Sequence, residues 1–420
     1  MTTTPPAAVP DRLDRVTVDD LDALAIGAGI LGTGGGGNPR VGRLRLQSIL
    51  EDADAPDAVE VIQPEDLDDD ATVTSVGGMG APTIGVEKFP RGTEETASLA
   101  AIERASGREV DALIPGEIGG VNSIVPLCVG ATTGLPVVDA DGMGRAFPEL
   151  QMDTFFVYGA PVNYAAITDE RGNQAVYRDV DSAERLERFA RAITVDMGGR
   201  AGYAFPLMDG AFVAEYAVPH TLSLAARLGH AVLAARSRGT DPVAAACEVV
   251  GGRELFAGKV TDVYRRNRKG FALGEVTLAA LDGDDGLVVE FQNEFLVARR
   301  YEGGCDRAAG RYGVATDDGA RAGGVGDPGD GDDPRPDRDD DGGEVLATVP
   351  DLVCLVDEDT AEPVTTDALR YGQRVRVLGV PAPELLTTDA ALEVIGPGAF
   401  GYDLDYLPLG DDGGAEAADD

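Results

Sequence analysis

The 420-residue sequence has no tryptophan, two histidines, four cysteines and only three lysines. The cysteines, at positions 128, 247, 305 and 354, are far apart and form no CxxC pair, which predicts reduced thiols rather than a zinc site or a disulfide framework. A histidine-based metal site or a Ser-His-Asp triad would depend on His220 or His230, and a structural histidine is the commoner case.

Positive charge is also scarce, since 35 basic side chains stand against 74 acidic ones and the formal net charge is -39. Nucleic-acid binding needs clustered cations, so no nucleic-acid partner is expected. No segment approaches the ~18 to 20 apolar residues of a membrane span, and the N-terminus does not resemble a signal peptide. We therefore expect a cytoplasmic protein without a membrane partner.

The acidic composition indicates the salt concentration in which the protein works. At molar salt the screening length falls to about 3 Å, so the self-repulsion of such a surface largely disappears. Together with the near absence of lysine, this favours an acidic halophilic protein from a salt-rich cell. The alternative is an acidic surface at ordinary salt.

Helical and strand patterns alternate in the first half. Strands are predicted at 72–76, 112–114 and 135–138, and helices follow the capping residues Thr17 and Thr93. Further helices are predicted from Asp181, Thr221 and Asp241, and the later strands at 260–264, 274–281, 287–295, 352–356, 374–379 and 391–395.

These patterns predict an α/β class with two domains. Residues 16–175 form an N-terminal α/β layered domain with a mostly parallel sheet, and residues 176–410 form a C-terminal mainly-β domain with a few helices. The Gly- and Asp-rich stretch at about 303–343 is predicted to be a disordered acidic insertion. Residues 1–15 are predicted to be a disordered lead and 411–420 an acidic tail.

Two glycine patterns resemble nucleotide-binding motifs but lack their context. Gly27-x-Gly29-x-x-Gly32 follows a predicted helix instead of a strand, and Asn38 stands where a phosphate loop has lysine, so no nicotinamide or flavin is expected. The glycines of the second pattern either form an anion-binding concavity for substrate or make a tight structural loop. The candidate substrate-binding glycines are Gly34, Gly35, Gly36 and Gly37.

Each of the three first-half strands ends in a glycine-rich loop with polar side chains. In open α/β sheets, ligands bind beyond the carboxyl ends of the strands, so we expect these loops to meet in one pocket. Carboxylates there could act as acids and bases or bind a hard metal ion, and cations could hold an anionic or carbonyl group. The predicted catalytic residues are Glu117, Asp139, Asp141 and Arg145, and the predicted substrate-binding residues are Gly80, Thr83, Lys88, Asn122 and Glu149.

Some of these acids could instead cap helices or belong to the acidic surface. Further along the chain, Glu294 lies among polar residues within a predicted strand and could reach the same cleft. The cations Arg265, Arg266, Arg268 and Lys269 face either an anion, the partner domain or solvent.

Seven segments occur in an order that resembles the S-methyl-thiohydantoin desulfurase-like family. They are 32–37 (GTGGGG), 79–83 (MGAPT), 117–122 (EIGGVN), 139–149 (DADGMGRAFPE), 258–260 (GKV), 292–294 (QNE) and 350–352 (PDL). The fourth segment is the most specific, and the resemblance covers nearly the whole chain.

The resemblance implies an α/β N-terminal and a β-rich C-terminal domain. It also implies an enzyme that acts on a cyclic ureide or thiohydantoin, with hydrolytic loss of a methylthio group. Members of the family often accompany hydantoinase/oxoprolinase proteins, so a non-catalytic partner of such an enzyme is an alternative, as is a small-ligand-binding regulator. The need for a divalent metal and the formation of a homo-oligomer stay open.

Overall fold

The computed structural model describes residues 11–80, 84, 88, 90–268, 271–305 and 343–409. In this part of the chain the helices are α1 (Leu21–Leu31), α2 (Pro39–Leu50), α3 (Glu94–Ser106), α4 (Val125–Thr133), α5 (Thr154–Val157), α6 (Ala183–Asp196), α7 (Gly210–Tyr216), α8 (Thr221–Arg238), α9 (Pro242–Val250) and α10 (Asp389–Ile395). None of these helices is long and apolar enough to cross a membrane.

The first sheet is parallel at its centre and antiparallel towards both edges. Its spatial order is β1-β2-β5-β4-β3-β9-β7-β8, with parallel pairing from β2 to β3. The strands are β1 (Arg15–Thr17), β2 (Ala58–Ile62), β3 (Thr72–Gly80), β4 (Ala112–Ile114), β5 (Val137–Val138), β7 (Ala165–Thr168), β8 (Gln174–Tyr177) and β9 (Arg200–Asp209). Two short strands, β6 (Ala140–Asp141) and β10 (Val218–Pro219), pair with each other beside it.

The second sheet is antiparallel throughout. Its order is β15-β14-β13-β12-β11-β17-β16. The strands are β11 (Arg253–Arg268), β12 (Phe271–Ala280), β13 (Gly286–Gln292), β14 (Glu294–Tyr301), β15 (Glu344–Thr348), β16 (Leu352–Asp357) and β17 (Arg374–Val380). A mixed sheet with helices followed by this antiparallel sheet confirms the predicted α/β-plus-β class. The first sheet is not mostly parallel as predicted, because β1, β7, β8 and β9 pair antiparallel at its two sides.

The first glycine of the apparent dinucleotide fingerprint, Gly27, serves helix packing. A Cβ built on Gly27 of α1 would lie 1.8 Å from the carbonyl oxygen of Ala225 in α8. The contact is reciprocal, since a Cβ on Gly229 of α8 would lie 1.8 Å from the carbonyl oxygen of Ala23. The two helix backbones can approach this closely only because both residues lack a side chain.

Four local predictions were wrong. The predicted strand 287–295 is a hairpin, because Asn293 adopts a left-handed φ of 59° and ends β13. Residues 391–395 lie in α10, since the Thr388 side chain caps it and Ala391 and Ile395 share its buried face. Ser182 rather than Asp181 caps α6. Within the predicted disordered lead, Leu13 is buried and Arg15 begins β1.

Residues 1–10 of that lead, most of the predicted insertion (306–342) and the C-terminal tail lie outside the described residues.

Candidate functional site

One pocket lies where the ends of β3 and β4 meet the glycine loop after α1 and the turn between β13 and β14. Its volume is about 140 Å³. The polar end is lined by Ser75, Glu117, Asn122, Asp153, Tyr203 and Glu294. The apolar wall is lined by Val41, Met79, Val121, Met143, Phe147, Leu150 and Phe205. The pocket therefore combines buried ionisable groups with an apolar surface, which is the usual composition of a small-molecule site.

Glu117 follows β4 and is 7% exposed. Asn122 donates one N–H to Glu117 Oε1 at 2.6 Å and the other to the carbonyl oxygen of Gly78 at 3.1 Å, while its own oxygen accepts from the Gly78 N–H at 2.8 Å. Burial, reinforced by the nearby carboxyl of Asp141, raises the pKa of Glu117 to about 8. Glu117 Oε2 has no hydrogen-bond partner among the described residues. Asn122 thus holds one carboxyl oxygen and leaves the other for a ligand.

Glu294 reaches the same pocket from the second sheet. It follows the turn residue Asn293, whose carbonyl accepts a hydrogen bond from the Thr366 hydroxyl at 2.7 Å. Burial raises the pKa of Glu294 well above its ordinary value, and the charge of Glu117 adds to this, while Arg145 opposes it. Within the described residues, Glu294 Oε2 also lacks a hydrogen-bond partner.

Burial favours the protonated form of both carboxyl groups, and once Glu117 has ionised its charge further favours a proton on Glu294, so the two groups together hold one proton over an intermediate pH range. One member of such a pair is an acid and the other a base, so the arrangement can perform general acid–base chemistry.

The glycine loop is held between the two halves of the site. Gly36 and Gly37 line the pocket, and the Val121 N–H donates to the Gly36 carbonyl at 2.9 Å. Gly34 and Gly35 lie behind it, where a Cβ would be 2.4 Å from the Phe295 ring and 1.9 Å from Glu294 Oε1, respectively. These distances support the structural interpretation for Gly34 and Gly35.

Asp139 and Asp141 do not line the pocket. Asp139 accepts hydrogen bonds from the Ser223 N–H and hydroxyl at the start of α8. Asp141 Oδ2 accepts three backbone N–H bonds of 2.8 to 3.0 Å, from Ile118, Met143 and Gly144. Burial raises the pKa of both carboxyls, that of Asp141 to about 7. These contacts are structural, because Asp139 satisfies buried donors at the start of α8 and Asp141 satisfies donors of its own loop and of the loop after β4. Asp141 Oδ1 has no hydrogen-bond partner among the described residues, but Asp141 is not part of the pocket lining.

Arg145 also lies behind the pocket and joins its two halves. Its guanidinium donates to the carbonyl oxygens of Asp351 at 2.7 Å and Phe295 at 2.8 Å, and to the Thr33 hydroxyl at 3.0 Å. It also lies 4.8 Å from the centroid of the pocket residue Phe147. Arg145 is therefore placed to position the site rather than to contact substrate.

Replacing Arg145 should weaken the whole fold. We expect Arg145→Met to lower the free energy of unfolding by ~3 to 5 kcal/mol, because several buried acceptors lose their donor. Urea unfolding at constant high salt measures the loss. Arg374→Met is the control, since Arg374 is 60% exposed at the side chain in a surface ion pair with Glu358 and should change stability by less than about 1 kcal/mol. Equal effects of the two variants would contradict this role for Arg145.

Of the other predicted substrate-binding residues, some line the pocket and others do not. Gly80 and Glu149 line the pocket. Lys88 does not, since its Nζ pairs with Glu170 at 2.6 Å and donates to the Met197 carbonyl at 2.6 Å. Thr83 lies outside the described residues. The structure thus brings Glu117, Asn122, Glu149, Gly36, Gly37 and Gly80 together.

Sequence reasoning missed Ser75, Asp153 and Tyr203. Ser75 lies within β3, and Tyr203 lies in β9, where it pairs with Gly77. Asp153 caps α5 through the Phe156 N–H at 2.7 Å, and burial raises its pKa. The sequence could have indicated Ser75 through the strand end at Ser75–Gly78 and Asp153 through the helix-capping pattern Asp153-x-x-Phe156. The residues around Tyr203 in the sequence do not mark it as a site residue.

A second missed group lies at the pocket's edge. Glu187 and Arg191 of α6 line the pocket and form an ion pair, and the Arg191 guanidinium lies 4.4 Å from the Phe271 ring centroid. No group of three or more His, Cys, Asp or Glu side chains in the described ranges is arranged to hold a metal ion.

Fold and site together define a two-domain protein whose domains share a pocket with a buried carboxyl pair. The chain belongs to the S-Me-THD-like family: the model of the N-terminal domain matches residues 19–179 and that of the C-terminal domain residues 181–409. The family description relates the chain to thiohydantoins.

A crystal structure of a protein from Chromobacterium violaceum is similar in fold. Its TM-score is 0.72 at 24% identity, over 94% of this chain and 99% of that one. A search of curated proteins gave no match.

Proposed function

We propose that the protein is an enzyme that hydrolyses the carbon–sulfur bond of an S-methyl-thiohydantoin. The products would be a hydantoin-type carbonyl and methanethiol. The family membership supports the substrate class, and the buried pair of Glu117 and Glu294 supports the reaction type. Glu294 takes the place that the sequence analysis gave to Asp139 and Asp141, because its free carboxyl oxygen belongs to the pocket lining.

The reaction needs one base and one acid in its first step. Ionised Glu117 takes a proton from water, and the resulting hydroxide attacks the ring carbon that bears the methylthio group. Protonated Glu294 gives its proton to the adjacent ring nitrogen, which receives the electron pair of the carbon–nitrogen double bond. The product of this step is a neutral tetrahedral intermediate.

The second step returns both carboxyl groups to their starting protonation states. The intermediate's hydroxyl gives its proton to Glu294, the carbon–oxygen double bond forms, and the carbon–sulfur bond breaks. Glu117 gives its proton to the departing sulfur, which leaves as methanethiol. One water molecule is consumed, and no oxidant, reductant or covalent enzyme intermediate is required.

The apolar wall suits the leaving group. Phe147 and Phe205 line the pocket together with the adaptable side chain of Met143, and sulfur makes favourable contacts with aromatic rings. A methylthio group placed there would leave the polar end to the ring nitrogens and oxygen.

The test is incubation of the purified protein in molar KCl with S-methyl-thiohydantoins in ¹⁸O-labelled water. We expect a thiol detectable with a chromogenic reagent and a hydantoin product that carries the heavy oxygen. Thiol release without the label would contradict direct hydrolysis. Tight binding with recovery of unchanged ligand would instead support the regulatory-binder alternative.

A further inference from the structure

The proposed reaction of the carboxyl pair does not use two hydroxyl groups at the polar end of the pocket, those of Ser75 and Tyr203. Ser75 in β3 is 2% exposed, and its Oγ has no well-formed hydrogen bond to the residues described. Tyr203 lies on the adjacent strand β9, and its ring stacks on Phe205 with centroids 4.6 Å apart. Both residues line the pocket beside Glu117.

Two glycines make room for these oxygens. A Cβ on Gly77 would lie 2.6 Å from the Tyr203 hydroxyl oxygen. A Cβ on Gly116 would lie 2.7 Å from the same oxygen and 3.0 Å from Ser75 Oγ. Any side chain at Gly116 would therefore displace both hydroxyls, so the backbone before Glu117 keeps a small polar recess open.

We infer that the hydroxyls of Ser75 and Tyr203 form a binding site for the ring carbonyl oxygen of the heterocycle, a group that substrate and product share. The inference rests on the proposed function and names the part of the ligand that the recess recognises. Ser75 Oγ is buried without a well-formed hydrogen bond among the described residues, and a ligand acceptor that reaches it would satisfy this hydroxyl. Enclosure in the pocket raises the pKa of Tyr203 by more than the neighbouring Ser75 hydroxyl lowers it, so the Tyr203 O–H stays a donor over the working pH range.

The recess fixes how the ring lies. Glu117 lines the same pocket and its charge acts on the Tyr203 hydroxyl, so a carbonyl bound between Ser75 and Tyr203 places the ring edge towards Glu117. Ring atoms one bond from the carbonyl would then face the carboxyl pair. Removing either hydroxyl should weaken recognition of the carbonyl while leaving the pair intact.

The experiment compares the binding of hydantoin with that of 2-imidazolidinone, which has the same ring without this second carbonyl. We expect calorimetry with the wild type to give at least tenfold tighter binding of hydantoin. The Ser75→Ala/Tyr203→Phe double variant should bring the two affinities within about twofold of each other. Ser106→Ala/Tyr177→Phe is the matched control, because both hydroxyls lie outside the pocket, and it should keep the wild-type ratio.

Two outcomes would overturn the carbonyl site: a wild-type ratio retained by the Ser75/Tyr203 double variant, or no preference for hydantoin in the wild type. Each single variant is measured as well, so that a folding defect in the double variant does not decide the result. Neither ligand carries a methylthio group, so the binding ratio is independent of thiol release. Thiol release with an unchanged ratio would retain the proposed function and reject the carbonyl site.

Discussion

Glu117→Gln is expected to lower the rate of thiol release by about 10³-fold or more, since it removes the proposed base without changing the side chain's shape. General acid–base groups contribute roughly 10²- to 10⁴-fold. Asn122 can still donate to the amide oxygen of the introduced glutamine, so the variant should fold and bind hydantoin. Steady-state kinetics and calorimetry measure the two effects. The control is Glu60→Gln, an exposed carboxylate on β2, which should keep full activity.

The same variant should be more stable than the wild type at alkaline pH. The pKa of Glu117 is raised to about 8 from an ordinary value of 4.5, so the folded state binds more protons than the unfolded state between these values. Its contribution to stability is fully present below about pH 4.5 and is lost as the pH rises through about 8. The stability gap between variant and wild type should therefore open over this range.

Urea unfolding at pH 5, 7 and 9, at one salt concentration, measures the gap. Each unit of pKa shift corresponds to about 1.4 kcal/mol, so the gap at pH 9 should be at most several kcal/mol. A gap that does not change with pH would reject the raised pKa of Glu117. Activity of the wild type should rise with pH as Glu117 ionises and fall when Glu294 loses its proton, as for a coupled pair.

The sequence predicted where the site lies better than which residues form it. Residues 72–76 favour a strand through their β-branched side chains, residues 112–114 are apolar, and glycine follows each range closely, so the carboxyl ends of the two strands could be placed and Glu117 and Asn122 found. Asp139 and Asp141 stand in an equally glycine-rich loop, and only the fold determines that their carboxyls accept from Ser223 and from three loop N–H groups.

Glu294 and Tyr203 belong to distant parts of the chain and reach the site through long-range packing. Glu294 enters the site because Asn293 turns the chain and the Thr33 carbonyl oxygen accepts the Phe295 N–H at 2.7 Å, a bond that joins the second sheet to the glycine loop after α1. Tyr203 depends on its register with Gly77, which is set by the whole length of the antiparallel pair of β3 and β9. Neither relation has a local signal, so composition and periodicity could not supply it.

Gly35→Ala is expected to fold and to lose at least about 10²-fold in activity, because it displaces the proposed acid. A Cβ on Gly35 would lie 1.9 Å from Glu294 Oε1 and 2.5 Å from its Cδ. The obstacle is the end of a side chain that can rotate, so the fold should survive while the carboxyl group leaves its position opposite Glu117. Loss of the acid corresponds to roughly 10²- to 10⁴-fold in rate.

Two further glycine variants separate this effect from simple crowding. Gly398→Ala is the neutral control, since a Cβ there meets no atom within 4 Å, and it should keep full activity. Gly27→Ala meets the Ala225 backbone instead, so it should lower the free energy of unfolding by about 1 to 3 kcal/mol through overpacking. Steady-state kinetics and urea unfolding of all three variants show whether Gly35→Ala acts by displacing the Glu294 carboxyl or by crowding alone. Full activity of a well-folded Gly35→Ala would show that the carboxyl group of Glu294 is not needed where the structure places it, and the two-carboxyl mechanism would fail.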